Sequence, residues 1–255
     1  MDVDHQLILG LPIAAIALPD ALELCDEAIA TDGRVQWGVV NAAKMVRMRK
    51  DRALRESLLR CDYVLADGQS VVWASRFLRR ALPERVAGID LFERLLEKAE
   101  ADGRSVYLLG ATQQTLDGLL ERLAQRFPAL ILAGARDGYF APGQAAAVAA
   151  EIRASKPDMV FLGMSSPKKE VFLADYGDAL GAAVLHGVGG SFDVLAGVTA
   201  RAPRRWQRAG LEWLYRLLQE PRRLAGRYLS TNAVFIALVV KERFRATPRY
   251  VGADR

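Results

Sequence analysis

Cysteine and histidine are scarce in this 255-residue chain, with two of each. Cys25 and Cys61 both sit in apolar contexts, too few for a disulfide framework and too isolated for a metal cluster, and read as reduced core residues of a cytoplasmic protein. Grouped carboxylates are missing as well. The only D-x-D is Asp2 and Asp4 at the N-terminal end, so no evident ligand set holds a divalent cation against a diphosphate, and no metal is expected. Long apolar runs are absent too. "AVFIALVV" at 233–240 falls far short of the roughly 20 residues a spanning helix needs. "LILGLPIAAIAL" at 7–18 imitates a signal-peptide core, but Asp2 and Asp4 stand where lysine or arginine would, and Pro12 interrupts it. It is expected to form a buried strand and a following loop. Internal repeats and low-complexity segments are also missing.

What is present is globular. At 51% hydrophobic and 25% charged, the chain is long enough to bury a sizeable core as one large domain, or one domain with an appendage. Its net charge of +5 is uneven: residues 201–255 hold 13 Lys or Arg against 4 Asp or Glu, so that end seeks an anionic partner.

Runs rich in Val, Ile and Leu recur between helix-length amphipathic segments. They are "VQWGVVN" (35–41), "CDYVLA" (61–66), "RSVYLLG" (104–110), "ALILAG" (129–134), "PDMVFLG" (157–163) and "GAAVLHGVGG" (181–190). This alternation predicts an α/β fold, Rossmann-like, with a mostly parallel sheet covered by helices on both faces. Past "RAP" at 201–203 the pattern turns to Arg- and Trp-rich helix. There Trp206 and Trp213, seven apart, are expected on one face with Leu217, and Pro221 to end one helix and open the next. The boundary is placed near residue 196, giving an α/β domain over 1–196 and a basic helical appendage over 197–255.

In such sheets ligands bind beyond the carboxyl ends of the strands. Asn41, Asp67 with Gly68, Gly110 with Thr112, Gly163 with Ser165 and Ser166, and Gly187 to Ser191 stand at those ends and form one candidate crevice. Asp67 before glycine has two readings: a turn residue that opens the next helix, or a base at the crevice mouth. "HGVGGSFDVLAG" lacks the last glycine of a dinucleotide fingerprint, where Phe192 stands, which weakens an oxidoreductase reading, although Gly189 and Gly190 permit close approach of a phosphate. Ser165 and Ser166 lack a nucleophile setting and read as helix caps. His186, at the end of an apolar run, reads as a satisfied strand-end residue.

The motifs "VVNAAKMV", "YVLADGQSVVWASRFL", "PERVAGIDLFERLL", "VYLLGAT", "DGYF", "MVFLGMSSPKKE", "GVGGSFDVLAG" and "RAPRRWQRAGLEWLYRLLQEPRR" run in order through the chain. Together they resemble the WecG/TagA/CpsF family of bacterial glycosyltransferases. The resemblance implies an inverting, metal-independent transfer from a UDP-sugar to a polyprenyl-diphosphate-linked glycan, in cell-surface or exopolysaccharide synthesis, at the cytoplasmic membrane face. Residue by residue, it implies Asp67 as general base with Asn41 and Arg85 beside it, and Tyr139 and Asp193 on the uridine. Arg216, Arg223 and Arg227 would reach the diphosphate from an appendage that also touches an anionic membrane surface. Two positions depart from the family: Val39 replaces a usual threonine, and Lys169 a usual glutamine. The donor sugar stays open among N-acetylmannosamine-type, glucose-type and uronic acid, the last pairing with Lys169. Homo-oligomerisation is open too. Two rival readings stand beside this one: a nucleotide-dependent oxidoreductase, and a nucleic-acid-binding protein using the basic tail, whereas the main reading has no nucleic-acid partner.

Overall fold

The computed structural model describes residues 2–208, 210–219 and 221–250, without the side chains of Pro142, Arg208, Arg216, residues 222–225 and residues 227–229. Six strands build the main sheet: β3 (Val35–Val40), β4 (Tyr63–Ala66), β5 (Ser105–Gly110), β6 (Ile131–Arg136), β7 (Met159–Gly163) and β8 (Val184–His186). Their order is β4-β3-β8-β7-β5-β6, and each neighbouring pair is parallel. All carboxyl ends therefore open on one edge.

Alternation along the strands explains why both faces need cover. In β5, Val106 and Leu108 point into one core while Tyr107 and Leu109 point into the other; in β7, Met159 and Phe161 oppose Val160 and Leu162. Helices α1 (Leu18–Ala30), α5 (Gly88–Asp102) and α6 (Gln113–Arg126) bury their apolar stripes in the first core. On the other face lie α2 (Ala42–Arg47), α3 (Arg52–Leu59) and α4 (Gln69–Phe77), followed by α7 (Ala145–Ala154) and α8 (Lys168–Leu180). The anticipated doubly covered parallel sheet is present.

Three local expectations are corrected. The N-terminal apolar run makes an antiparallel hairpin, β1 (His5–Ile8) and β2 (Leu11–Ala14), rather than a strand and a loop. Leu9 and Gly10, at φ 49° and 83°, supply the left-handed pair that a two-residue reversal needs. Trp206 and Trp213 do not share a helix: one lies in α10 (Arg204–Arg208), the other in α11 (Glu212–Gln219). Trp206 instead meets Tyr215 edge-on, with ring centroids 5.7 Å apart. Neither Ser165 nor Ser166 caps α8, whose N-cap is Pro167 without a side-chain bond.

Pro221 opens α12 (Pro221–Phe244), as expected after the end of α11. Phe235 and Val239 of α12 join the core that holds Val40, Met45 and Val71, so the appendage packs on the α/β body. Its far end is tied by Glu242, a buried carboxylate that accepts from the Leu9 amide at 3.1 Å and from Arg80 at 2.6 Å. These two bonds tie the C-terminal end of α12 to the β1–β2 turn and to the segment after α4.

Candidate active site

One cavity of about 710 Å³ opens beyond the ends of β3 and β4. Asn41, Asp67 and Arg85 all line it, so the structure brings together the three residues expected to do chemistry. Each is held by a protein partner. Asn41 follows β3 and caps α2, its Oδ1 accepting from the Lys44 amide at 3.0 Å. Gly68 lets it approach: a Cβ there would sit 2.9 Å from Asn41 Cβ.

Asp67 follows β4, but it does not cap α4, whose N-cap is Gly68. Its Oδ1 accepts instead from the amide of Gly88, the first residue of α5, at 2.9 Å. A carboxylate at the start of a 15-residue helix is favoured by the unpaired amides and the positive end of the helix dipole. The side chain is therefore held across the crevice rather than in its own turn, which removes the helix-opening reading of the Asp-Gly pair.

Arg85 donates from Nη1 to Glu212 of α11 at 2.7 Å and lies 3.5 Å from Asp90. Burial works against its charge, but Glu212, Asp67 and Asp90 outweigh that and raise its pKa. Arg201 joins the same cluster, bonded to Asp90 and lying 3.7 Å from Glu212. Glu212 thus links α11 to the charged cluster at this cavity. Nothing in the sequence around it except its place as an acid in a basic segment signals that role.

The opposite wall is apolar. Trp73 and Phe77 of α4 face Trp213 of α11 and Phe235, Ile236, Val239 and Val240 of α12 around the same cavity. Trp73, Phe77, Ile236 and Val240 remain exposed at its margin. Nothing in the sequence reading marked Trp73 and Phe77 as an outward aromatic pair.

The residues expected on the nucleotide lie elsewhere along the strand-end edge. Tyr139 follows β6 on a loop where the Asp137 side chain accepts from its amide, and its ring is 75% exposed. Asp193 stands in the first turn of α9 (Ser191–Leu195), with its pKa raised by burial. Gly189 and Gly190 lead into α9, and Gly189 has φ 56°. None of these four lines the cavity that holds Asp67. Arg216 on α11 and Arg223 and Arg227 on α12 have side chains outside the described residues.

Lys169 points under this glycine loop rather than out of it. It is 5% exposed and bonded to Glu170, whose Oε1 also accepts from Lys44 at 2.8 Å. A Cβ at Gly187 would lie 3.0 Å from Lys169 Cδ. Burial and the neighbouring Lys44 depress the Lys169 pKa, and the two lysines hold the Glu170 carboxyl low against its own burial. Its neighbour Lys168 is exposed. Cys25 and Cys61 are both thiols pushed up by burial, to about 12 and about 11, which makes them poor nucleophiles. Among the described residues, no three His, Cys, Asp or Glu side chains gather closely enough to hold a metal ion.

A doubly covered parallel sheet thus brings a carboxylate, an amide and a guanidinium to one cavity at its strand ends, the edge where α/β proteins of this class take their ligands. Residues 6–249 match the glycosyl transferase WecG/TagA/CpsF family, and the chain belongs to it. It is a glycosyltransferase. A relative from Bacillus spizizenii, an N-acetylglucosaminyldiphosphoundecaprenol N-acetyl-beta-D-mannosaminyltransferase, is 40% identical over 191 residues, covering 75% of this chain and 73% of the relative.

Proposed function

We propose that this enzyme transfers an N-acetylmannosamine-type sugar from UDP to a polyprenyl-diphosphate-linked glycan, with inversion and without a metal ion, in cell-envelope polysaccharide synthesis. The observation that carries the reading is the placement of Asp67 and Arg85 in a cavity whose other wall is apolar. A lipid-linked acceptor needs both features, a base and cation at the sugar and an apolar path for the chain. The relative's name supplies the sugar and the acceptor class.

In this mechanism the Asp67 carboxylate takes the proton from the acceptor hydroxyl while Gly88 holds its Oδ1. The acceptor oxygen attacks the anomeric carbon from the face opposite UDP, and the bond to the diphosphate oxygen breaks with its electron pair leaving on UDP. Negative charge grows on the leaving diphosphate, where arginines stabilise it. Arg216, Arg223 and Arg227 are assigned that work, with Tyr139, Asp193, Gly189 and Gly190 on the nucleotide.

Lys169 argues for a neutral donor. Its ammonium is already bonded to Glu170 and almost fully buried, so a uronic acid carboxylate would have to displace an internal partner. The exposed apolar margin and the basic appendage support a peripheral position on an anionic membrane surface, at the inner face where UDP-sugars are made. Among the described residues no helix is long and apolar enough to cross a membrane.

The reading is tested by incubating the enzyme with UDP-N-acetylmannosamine and a polyprenyl-diphosphate N-acetylglucosamine acceptor, with and without EDTA. A β-linked disaccharide formed at equal rates in both is expected. No transfer, an α-linked product or a requirement for divalent cation overturns the corresponding part.

A further inference from the structure

We infer that His186 is a positioning residue for Asp67, acting through Gly88 at the start of α5. The inference rests on Asp67 being the base.

Gly88 is held from both sides. Its amide donates to Asp67 Oδ1 at 2.9 Å, and its carbonyl oxygen lies 2.9 Å from His186 Nε2. A carbonyl can only accept, so Nε2 carries the hydrogen and the ring is the Nε2–H tautomer. That leaves Nδ1 as a bare acceptor, and it is buried without a hydrogen-bond partner. Leaving a buried polar atom unmatched costs about 1–3 kcal/mol, and leucine at this strand end would avoid the penalty. The imidazole therefore makes sense for what Nε2 holds.

The anchor itself is firm. His186 ends β8 at the sheet centre, opposite Trp37 of β3 and Phe161 of β7, and is fully buried. Val39 and the His186 ring flank Gly88: a Cβ there would stand 3.4 Å from Val39 Cγ1 and 3.5 Å from the ring. The charged groups that act on the ring are Asp67 beyond β4, Lys44 of α2 and Lys169 of α8. Burial first, then the two lysines, hold the imidazole neutral, with its pKa down to about 4. The contact with Gly88 thus persists wherever transfer runs near neutral pH. Without it the first turn of α5 loses its tie to the central strand, and with it the amide that aims the Asp67 carboxylate. A base displaced by a fraction of an ångström loses rate without losing substrate.

The test compares His186→Leu, which fills the site but cannot donate, with His186→Gln, whose amide can reach the Gly88 carbonyl. For the leucine variant we expect kcat to fall roughly tenfold, the rate equivalent of one hydrogen bond, with KM for donor and acceptor within about twofold. The glutamine variant should recover most of that loss. Equal kcat in wild type and leucine variant, equal losses in both variants, or a loss confined to KM overturns the inference. A second measurement needs no variant. With only two histidines in the chain, ¹⁵N imidazole spectra of the wild type are readily assigned, and a neutral Nε2–H tautomer is expected at His186 from pH 6 to 8. An Nδ1–H or charged ring overturns it. Asp67→Asn separates the two layers: if that variant transfers normally the base reading fails, whereas an inactive Asp67→Asn beside a fully active His186→Leu removes only His186.

Discussion

The two halves of the strand-end edge are held in different ways. Around β3 and β4, every side chain assigned to the chemistry already has a protein partner: Asn41 the Lys44 amide, Asp67 the Gly88 amide, and Arg85 the Glu212 carboxylate. Toward β6 and α9, Tyr139 stands in solvent and Gly190 is exposed. The first half is organised before a substrate arrives, as preorganised catalysis requires. On the proposed function, the second presents its groups for the nucleotide to cover.

The comparison is broken most strongly at Asp67. Asp67→Asn keeps the side-chain shape but cannot take the proton, and kcat is expected to fall by about 10²–10⁴. Turnover on a folded variant checks this, and near-wild-type turnover would dissolve the distinction between the halves.

The organised half also carries buried charge that should make stability sensitive to acid. The His186 pKa lies at about 4 in the folded chain against 6.5 for a free side chain. Between those values the unfolded chain holds a proton the folded one lacks, so stability is complete above about 6.5 and is lost as pH falls toward about 4. The loss is expected to reach up to about 3 kcal/mol. Glu170, with its pKa lowered by Lys44 and Lys169, adds a further loss at lower pH. Denaturant midpoints at pH 7, 5.5 and 4.5 measure the slope, and His186→Gln should flatten it; an unchanged slope assigns the sensitivity elsewhere.

Arg85 joins the two regions of the chain. Arg85→Ala removes a cation from the cavity and leaves Glu212 without this partner in the pocket, and a loss of roughly 10² in kcat/KM is expected. If Glu212→Gln gives a much smaller loss, the guanidinium acts on substrate rather than as a latch for the appendage. Least severe is the apolar margin. Trp73→Ala with Phe77→Ala should raise KM by roughly tenfold for a polyprenyl acceptor and leave a short-chain soluble acceptor unchanged, since only the longer chain buries apolar area there. Equal effects on both acceptors would place the pair in the sugar site instead.

The fold was legible because its strands are continuous apolar runs and its helices amphipathic. Five of the six anticipated runs hold strands at nearly the expected positions, and the sixth, at 181–190, shortens to Val184–His186. The grouping of Asn41, Asp67 and Arg85 was legible too, Asn41 and Asp67 from their places just after strands and Arg85 only through the family resemblance of its motif. What was not legible depends on contacts distant in sequence. Glu242 reaches Leu9, Glu212 reaches Arg85, and His186 reaches Gly88, separations that no local pattern encodes. The hairpin at Leu9 and Gly10 was missed because a continuous apolar run hides a two-residue reversal. Lys169 looked like a crevice cation because helix position alone does not reveal that Glu170, the very next residue, takes its charge.

The division of labour between the halves is tested most directly by titrating UDP into two variants, Asp67→Asn and Tyr139→Ala, by calorimetry. The account predicts that Asp67→Asn binds UDP within about twofold of wild type while Tyr139→Ala weakens it roughly tenfold, the effect of losing one stacked or hydrogen-bonded aromatic ring. If Asp67→Asn weakens UDP as much as Tyr139→Ala does, the two halves form one nucleotide site and Asp67 is not reserved for the acceptor.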